Sequence, residues 1–532
     1  MATDESTTMK DVRRKREPVV LVVLDGWGIG ANRSGNAIFQ AAPATFTRLW
    51  NEYPHQVLQA VSPAEIGNGR SGSSETGHAS IGTGRMIHSD ISDISMAITS
   101  GSFFESPALT QVAQYVASER VALHLVGLVS NGGNHSHIDH LYGLLEFARR
   151  NSISHVYVHA ITDGVDVSEG SASATLESLE AMMHSAGVGT LASVSGRDTA
   201  MDRSGNFKKT DLAYRAMIGK QSPTAASLQS LIEISEAQGE TDATITPTVL
   251  TDATGKPRGV VQPRDAVILF NSRPDRMTQL LKRFADPHQT VSAGLFKKPT
   301  YVGPMVFTLT DYHSDLPAVH PLFRAGIVRD SLGQILSDHG IAQARIASSD
   351  REAHVTYFLN GGRAEPFSNE ERILIDARAN LRQLVMKTLP VIRGRKHPFI
   401  VVNLDSVDKA AHTGNFDQTV AAAKSVDLAL DSIVSATLAV GGIVLITADH
   451  GNGEGMLGKH GGHRHTVNGV PWIYVDDSAR RRTSGINRQL VAPTGVPDPR
   501  ATLADVAPTI LALFGIAKPT TMTGRSLVSV DQ

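Results

Sequence analysis

Short runs of apolar residues that stop abruptly at an acid recur along the chain. Val19 to Leu24 (VVLVVL) is apolar at every position and is followed at once by Asp25, Gly26, Trp27 and Gly28. A run this short, rich in β-branched residues and without polar alternation, predicts a strand buried on both faces, as in a parallel sheet. Phe399 to Leu404 (FIVVNL) leads into DSVDKAAH, and Ile443 to Thr447 (IVLIT) leads into Ala448, Asp449, His450, Gly451 and Asn452. One Asp after a strand is commonly a helix N-cap. Three such strands, two of them followed by both Asp and His, predict acids gathered at the carboxyl edge of one sheet, where open α/β sheets bind ligands.

A second series lies between these ends. Leu123 to Val129 precedes SNGGNHSH, His155 to Ile161 precedes TDGVD, Leu191 to Val194 precedes SGRDTAMDR, and Ala266 to Phe270 precedes NSRPDR. Here arginines dominate the strand ends: Arg197, Arg203, Arg273 and Arg276. Helices are predicted over Gly170 to Ser185, Met277 to Phe284, Leu332 to His339, Phe416 to Val434 and Ala501 to Phe514, the last with Pro508 near a turn boundary. Val355 to Leu359 reads as a strand. The pattern predicts an α/β protein in which residues 18–90 and 323–532 form one domain and residues 92–320 a second α/β domain inserted into it. The crossovers fall around His88 to Asp93 and His313 to Phe323. Residues 1–17 form a polar, disordered tail.

Length and composition narrow the class. A chain of 532 residues exceeds what one core supports. Charge is almost balanced, 50 Lys+Arg against 52 Asp+Glu, which argues against nucleic acid or an anionic membrane as partner. No run approaches the length of a membrane span and no apolar segment follows the basic cluster Arg13 to Arg16, so a soluble cytoplasmic protein is expected. Cysteine is absent, so any metal must be held by oxygen and imidazole.

The candidate chemistry centres on Ser71 to Arg85 (SGSSETGHASIGTGR), which reads as a Gly-rich loop carrying an exposed hydroxyl that could act as a nucleophile once activated. Asp408 and His412 are spaced i, i+4, so on a helix they share a face and form a metal half-site. Asp449 and His450 form a second pair, and Asp25 is a fifth candidate. Lys459 to His465 (KHGGHRH) offers three histidines among which spacing does not choose. Asp, His and a serine oxygen suit Mn²⁺ or Zn²⁺ better than Mg²⁺ or Ca²⁺.

These motifs, LDGWG, SETGH, GLVSNGGNHSH, VSGRDTAMDR, NSRPDR, AHVTYFLNGG, ITADHGN, HTVNGVP and VAPTILALFGI, resemble those of the cofactor-independent (2,3-bisphosphoglycerate-independent) phosphoglycerate mutases of the alkaline phosphatase superfamily, nearly end to end. The resemblance implies an alkaline-phosphatase-like metal-binding domain with an inserted substrate-binding domain. It implies Ser74 as nucleophile, one metal on Asp408, His412 and His465, and the other on Asp25, Ser74, Asp449 and His450. His135, Asp166, Arg197, Arg203, Arg273 and Arg276 would surround the substrate, with Asp166 moving a proton. It further implies two Mn²⁺ ions, no 2,3-bisphosphoglycerate, a monomer with a closing hinge, and a small phosphorylated hydroxy acid as substrate.

Three positions depart from the family pattern. Val165 stands where DGRD is usual, Arg351, expected to act in catalysis and to bind substrate, stands for a lysine near the metals and phosphoryl group, and Ser73 replaces an asparagine before the nucleophile. Interconversion of 3-phosphoglycerate and 2-phosphoglycerate through phosphoserine is the leading expectation. The alternative is a diverged paralogue passing a phosphoryl or phosphonyl group, phosphonoformyl for instance, to a glycerate-like acceptor. A metal-dependent phosphatase is a third.

Overall fold

The computed structural model describes residues 17–30, 34–67, 71–285, 303–312, 319–324, 326–456, 464–479 and 500–528. The tail expected over residues 1–17 lies outside them except for Glu17, as do His460, His463 and residues 313–318 of the second crossover. The chain divides into two compact units, Met1–His88 with Gly326–Gln532, and Ser89–Ala325.

In chain order, β1 (Val19–Leu24) and β2 (His55–Leu58) begin the first unit. The second unit holds β3 (Leu123–Leu128), β4 (Val156–Thr162), β5 (Thr190–Gly196), β6 (Thr224–Ala225), β7 (Thr248–Leu250), β8 (Ala266–Leu269), β9 (Met305–Thr308) and β10 (Val319–Pro321). The chain then returns through β11 (Gln343–Ser348), β12 (Glu370–Ile375), β13 (Phe399–Leu404), β14 (Ile443–Thr447) and β15 (Val470–Val475). The protein is thus α/β with two sheets, ordered β12-β11-β13-β1-β14-β15-β2 and β10-β9-β8-β3-β4-β5-β7-β6.

Strand composition explains these positions. All six residues of β1 are buried, as are all six of β13, and the two pair in parallel from Val19↔Phe399 to Leu24↔Leu404. On the other side β1 pairs in parallel with β14, Val23 opposite Thr447. Asp25, Asp405 and Ala448-Asp449 therefore leave adjacent strands at one edge. β12 carries charges and is partly exposed, as suits an edge strand. In the second unit β8, β3, β4 and β5 are likewise adjacent and parallel, so the polar segments after them share one edge.

Two local expectations are corrected. Val355 to Leu359 is not a strand: His354–Phe358 is a single π-helical turn. Val355 and Leu359, four residues apart, are both buried, a helical spacing that the β-branched and aromatic composition disguised. The Ser71–Arg85 stretch is not a loop either, because Ser74–Thr83 is a helix closed by Gly84 in the left-handed region at φ 64°. Its inner glycines permit close packing: a Cβ on Gly77 would lie 2.9 Å from Asp449 Cβ. Pro508 is the third residue of the Val506–Leu513 helix, where a missing N–H is harmless, and a 3₁₀ turn over Leu503–Asp505 precedes that helix.

Candidate active site

The acids and histidines at the edge of the first sheet converge. Ser74, the first residue of its helix, is buried, and its hydroxyl lies 2.8 Å from His450 Nε2. His450 Nδ1–H donates to the Gly451 carbonyl at 3.3 Å, which leaves Nε2 as the free lone pair. The His450 pKa is lowered to about 4 by burial, which outweighs the pull of Asp449, so the ring is neutral near pH 7. His465 Nδ1–H donates to the Gly72 carbonyl at 2.9 Å, and although burial lowers its pKa, Asp408 beside Nε2 raises it overall. His465 Nε2 lies 2.9 Å from His412 Nε2 and 3.4 Å from Asp408 Oδ1, while His412 Nε2 is 3.3 Å from Asp408 Oδ1.

Two donor groups, Asp408 with His450 and His465, and Asp25 with Asp449 and His450, each have ligand atoms within 4.8 Å of one another. The structure thus places His450 between the two clusters, whereas the sequence reading assigned it to one.

Each carboxylate has one oxygen tied and one turned inward. Asp449 Oδ1 accepts from the backbone N–H groups of Gly26 at 3.3 Å and His450 at 3.0 Å, and its Oδ2 makes no hydrogen bond. Asp25 Oδ2 accepts from Asn403 Nδ2 at 3.3 Å, and its Oδ1 is unbonded, 3.5 Å from His450 Nε2. Asp408 Oδ2 accepts from Arg351 Nη2 at 2.7 Å.

Burial and then its neighbours Asp449 and Asp408 raise the Asp25 pKa. Asp449 is lowered despite burial by His450 and His78, and Asp408 despite burial by hydrogen bonds from His412 and His465. Three buried carboxylates, two of them (Asp25 and Asp449) with an unbonded inward oxygen, gathered with imidazole nitrogens fit divalent cations, whose binding displaces any proton those groups hold.

Sequence reasoning missed the supporting residues. His78, one turn after Ser74, is fully buried; its Nδ1–H donates to the Ser74 carbonyl at 2.9 Å, and its Nε2 accepts from Asn403 Nδ2 at 2.9 Å. The i, i+4 spacing in SETGH was the available signal. Glu454 is buried and accepts from the Gly28 N–H at 3.1 Å, the Asn452 N–H at 2.9 Å and Asn468 Nδ2 at 3.0 Å, pinning the loops that follow β1 and β14.

The second unit gathers the other predicted residues at the ends of β3, β4, β5 and β8. The Arg197 side chain is 1% exposed; it pairs with Asp163 and, at 3.1 Å, with Asp166 Oδ2. Asp166 Oδ1 accepts from Asn134 Nδ2 at 3.2 Å, and Arg273 Nη1 donates to Asn134 Oδ1 at 3.2 Å. His135 is buried with Nδ1 3.5 Å from Asp275 Oδ1, and burial lowers its pKa to about 4. Burial and then the charges of Arg197 and Arg203 lower the Arg276 pKa, with Asp275 and Asp166 opposing them. Arg203 and Arg276 make no ion pair among the described residues. Guanidinium groups without ion-pair partners suit an anion. Val165 is 58% exposed in the loop after β4.

Comparison with known proteins places the chain in a family. The chain is 39% identical over 524 residues to a 2,3-bisphosphoglycerate-independent phosphoglycerate mutase of Synechococcus sp. (strain JA-2-3B'a(2-13)), covering 96% of each. The chain belongs to that family. The mutase of the same name from Clostridium acetobutylicum is 36% identical over 529 residues, covering 96% of this chain and 99% of that one. The family model for the BPG-independent phosphoglycerate mutase N-terminus matches residues 94–314, within the second unit. Among solved structures, Leishmania mexicana phosphoglycerate mutase, determined at low cobalt concentration, superposes with a TM-score of 0.69 at 25% identity, covering 97% of this chain and 98% of that one. Among the described residues of this mutase-family chain, no helix is long and apolar enough to cross a membrane.

Proposed function

We propose that this chain is a phosphoglycerate mutase that interconverts 3-phosphoglycerate and 2-phosphoglycerate through a phosphoserine on Ser74. The observation that carries the reading is the buried Ser74 hydroxyl, 2.8 Å from His450 Nε2 among the carboxylates of Asp25, Asp449 and Asp408. A neutral alcohol needs such surroundings to become a nucleophile.

The first unit is the metal-binding, phosphatase-like domain. Asp408, His412 and His465 hold one ion, and Asp25, Ser74, Asp449 and His450 the other, with Mn²⁺ favoured over Zn²⁺ by the oxygen-rich set. Bound there, two divalent ions lower the serine pKa and neutralise charge on the transferring phosphoryl group. Ser74 Oγ attacks phosphorus; the P–O bond to the 3-oxygen of glycerate breaks, and glycerate is released from phosphorus. Its 2-hydroxyl then attacks phosphoserine and returns Ser74 to its free form. Arg351, paired with two of these carboxylates, keeps a fixed positive charge beside the reacting group.

The inserted unit is the substrate-binding domain. Arg203, Arg273 and Arg276 hold the acid's anionic groups. Arg197 holds Asp166, and Asp166 with His135 handles the proton exchanged between the two glycerate oxygens. No 2,3-bisphosphoglycerate is required, since the phosphoryl donor is the substrate itself. A cytoplasmic monomer is the natural setting for this chemistry on a small metabolite.

The test is a coupled enolase assay with 3-phosphoglycerate and Mn²⁺ while released phosphate is followed. Turnover of about 10 s⁻¹ or more, ordinary for an enzyme, is expected without comparable phosphate release. Phosphate release without 2-phosphoglycerate would replace the mutase reading with a phosphatase.

A further inference from the structure

Arg351 lies against a ligand from each of the two carboxylate–histidine groups, so its position bears on more than charge. It closes a 3₁₀ turn over Ser349–Arg351 at the end of β11, and its side chain is 16% exposed. Its Nη2 donates to Asp408 Oδ2 at 2.7 Å, and its Nε faces Asp25 Oδ2 at 3.7 Å. The third nitrogen, Nη1, lies 3.4 Å from His354 Nε2 at the start of the π-helical turn. One rigid fork thus faces the outer oxygen of two aspartates that belong to different donor groups.

The inner oxygens show the consequence. With Asp408 Oδ2 taken by Arg351, Oδ1 faces His412 at 3.3 Å, His465 at 3.4 Å and His450 at 4.0 Å, and it accepts from Asn452 Nδ2 at 2.9 Å. With Asp25 Oδ2 turned to Arg351 and Asn403, Oδ1 is left toward His450. Three buried carboxylates repel one another, and each can rotate to escape unless its outer oxygen is held. Asp449 is held by backbone N–H groups. Asp408 Oδ2 is held by a hydrogen bond from Arg351, and Asp25 Oδ2 by one from Asn403 with the Arg351 charge facing it at 3.7 Å. A lysine ammonium is a single point charge on a flexible stem, whereas guanidinium presents separate donors in a fixed plane.

We propose that Arg351 is a positioning residue that ties the two metal half-sites together, aiming Asp25 Oδ1 and Asp408 Oδ1 inward so that the two sites fill as a unit. This rests on the two-metal reading given above. It goes beyond it by assigning the guanidinium to the metal ligands rather than to the transferred group. Charge and position make opposite claims here. A cation near a divalent site weakens metal binding through repulsion, so removing it should tighten binding if charge is all it contributes. If it positions the ligands, removing it should loosen binding.

The experiment is titration of the full-length, metal-free protein with Mn²⁺, free and bound ion being resolved by electron paramagnetic resonance, for wild type, Arg351→Lys and Arg351→Met. Circular dichroism confirms that each variant is folded. Wild type is expected to bind two Mn²⁺ with the exchange-coupled spectrum of a close pair. Arg351→Met is expected to lose the coupled spectrum and bind at least one ion tenfold or more weakly. Arg351→Lys, which keeps the charge and loses the fork, is expected to fall between them. Two coupled ions in wild type with unchanged or tighter binding in Arg351→Met would overturn the positioning role while leaving the two-metal site standing. A wild type that binds no Mn²⁺ would overturn the two-metal reading itself, and the positioning role with it.

Discussion

Gly77→Ala tests the packing that brings the nucleophile to its surroundings. Gly77 lies between Ser74 and His78 on the Ser74–Thr83 helix, against the loop that carries Asp449 and His450. A methyl group there would sit 2.9 Å from both Asp449 C and Asp449 Cβ, and closer still to the Asp449 carbonyl oxygen. These are backbone atoms or atoms fixed to it, so no side chain can rotate away. Relief to an ordinary contact of 3.4 Å requires the helix and the Asp449 loop to separate by about 0.5–1 Å.

That movement falls on the contact between Ser74 Oγ and His450 Nε2, now 2.8 Å. Overpacking of this kind costs about 1–3 kcal/mol of stability. Misplacement of a reacting group by about 1 Å costs on the order of a hundredfold in rate. The expected result is therefore a folded protein with kcat about a hundredfold lower in the coupled assay and an unfolding free energy lower by about 1–3 kcal/mol, read from urea titration. Activity within twofold of wild type would refute the claim that this helix–loop contact sets the nucleophile's position.

Two further perturbations address the inserted unit. Arg197→Met leaves the buried Asp163 without its positive partner and is expected to destabilise that unit by about 3–5 kcal/mol; Arg203 and Arg276 lack ion-pair partners among the described residues, so Arg203→Met and Arg276→Met should leave stability nearly unchanged and raise KM in the coupled assay. A stable Arg197→Met protein would contradict this division. Acid is expected to weaken the same unit through a buried chain in which Asp265 Oδ2 meets His124 Nε2 at 3.0 Å, His124 Nδ1 meets His159 Nε2 at 3.0 Å, and His159 Nδ1 meets Ser193 Oγ at 2.8 Å. Burial, then His124, holds the His159 pKa well below 6.5 in the folded state, so the unfolded chain binds the extra proton as pH falls. Stability is full above about pH 6.5 and is lost below it by about 1.4 kcal/mol per pH unit. His159→Gln should flatten that slope. Urea transitions followed by circular dichroism can be assigned to this unit by comparison with fluorescence, because Trp27, Trp50 and Trp472 all lie in the other unit; an unchanged slope would count against the network.

Much of the architecture was legible in the sequence because parallel strands buried on both faces leave nothing but apolar residues to read. β1, β13 and β14 match the predicted ranges residue for residue, and the acids after them do meet. The Asp408–His412 pair was readable because helical spacing alone puts the two groups together, at 3.3 Å.

What escaped depended on contacts across the chain. Asn403 is the one polar residue of β13, but nothing local says that its side chain reaches both Asp25 and His78. The glycines of Ser71–Arg85 suggested a loop, whereas at Gly77 glycine serves the close approach of a helix to Asp449. Arg197 reads in sequence as a substrate-facing arginine at a strand end, and nothing beside it signals that its Nη1 pairs with Asp163 and Asp166. Val355 to Leu359 misled because β-branched and aromatic residues can face a core from one helical turn as readily as from a strand.

The central claim is that Ser74 carries the phosphoryl group during turnover. It is tested most directly by quenching the Mn²⁺-loaded protein in acid while it turns over 3-phosphoglycerate, then mapping phosphorylation by peptide mass spectrometry. The account predicts phosphate on Ser74 of the wild type, none on Ser74→Ala, and loss of mutase activity in that variant. A protein that forms 2-phosphoglycerate with Ser74 replaced, or that carries its phosphate on another residue, would contradict it.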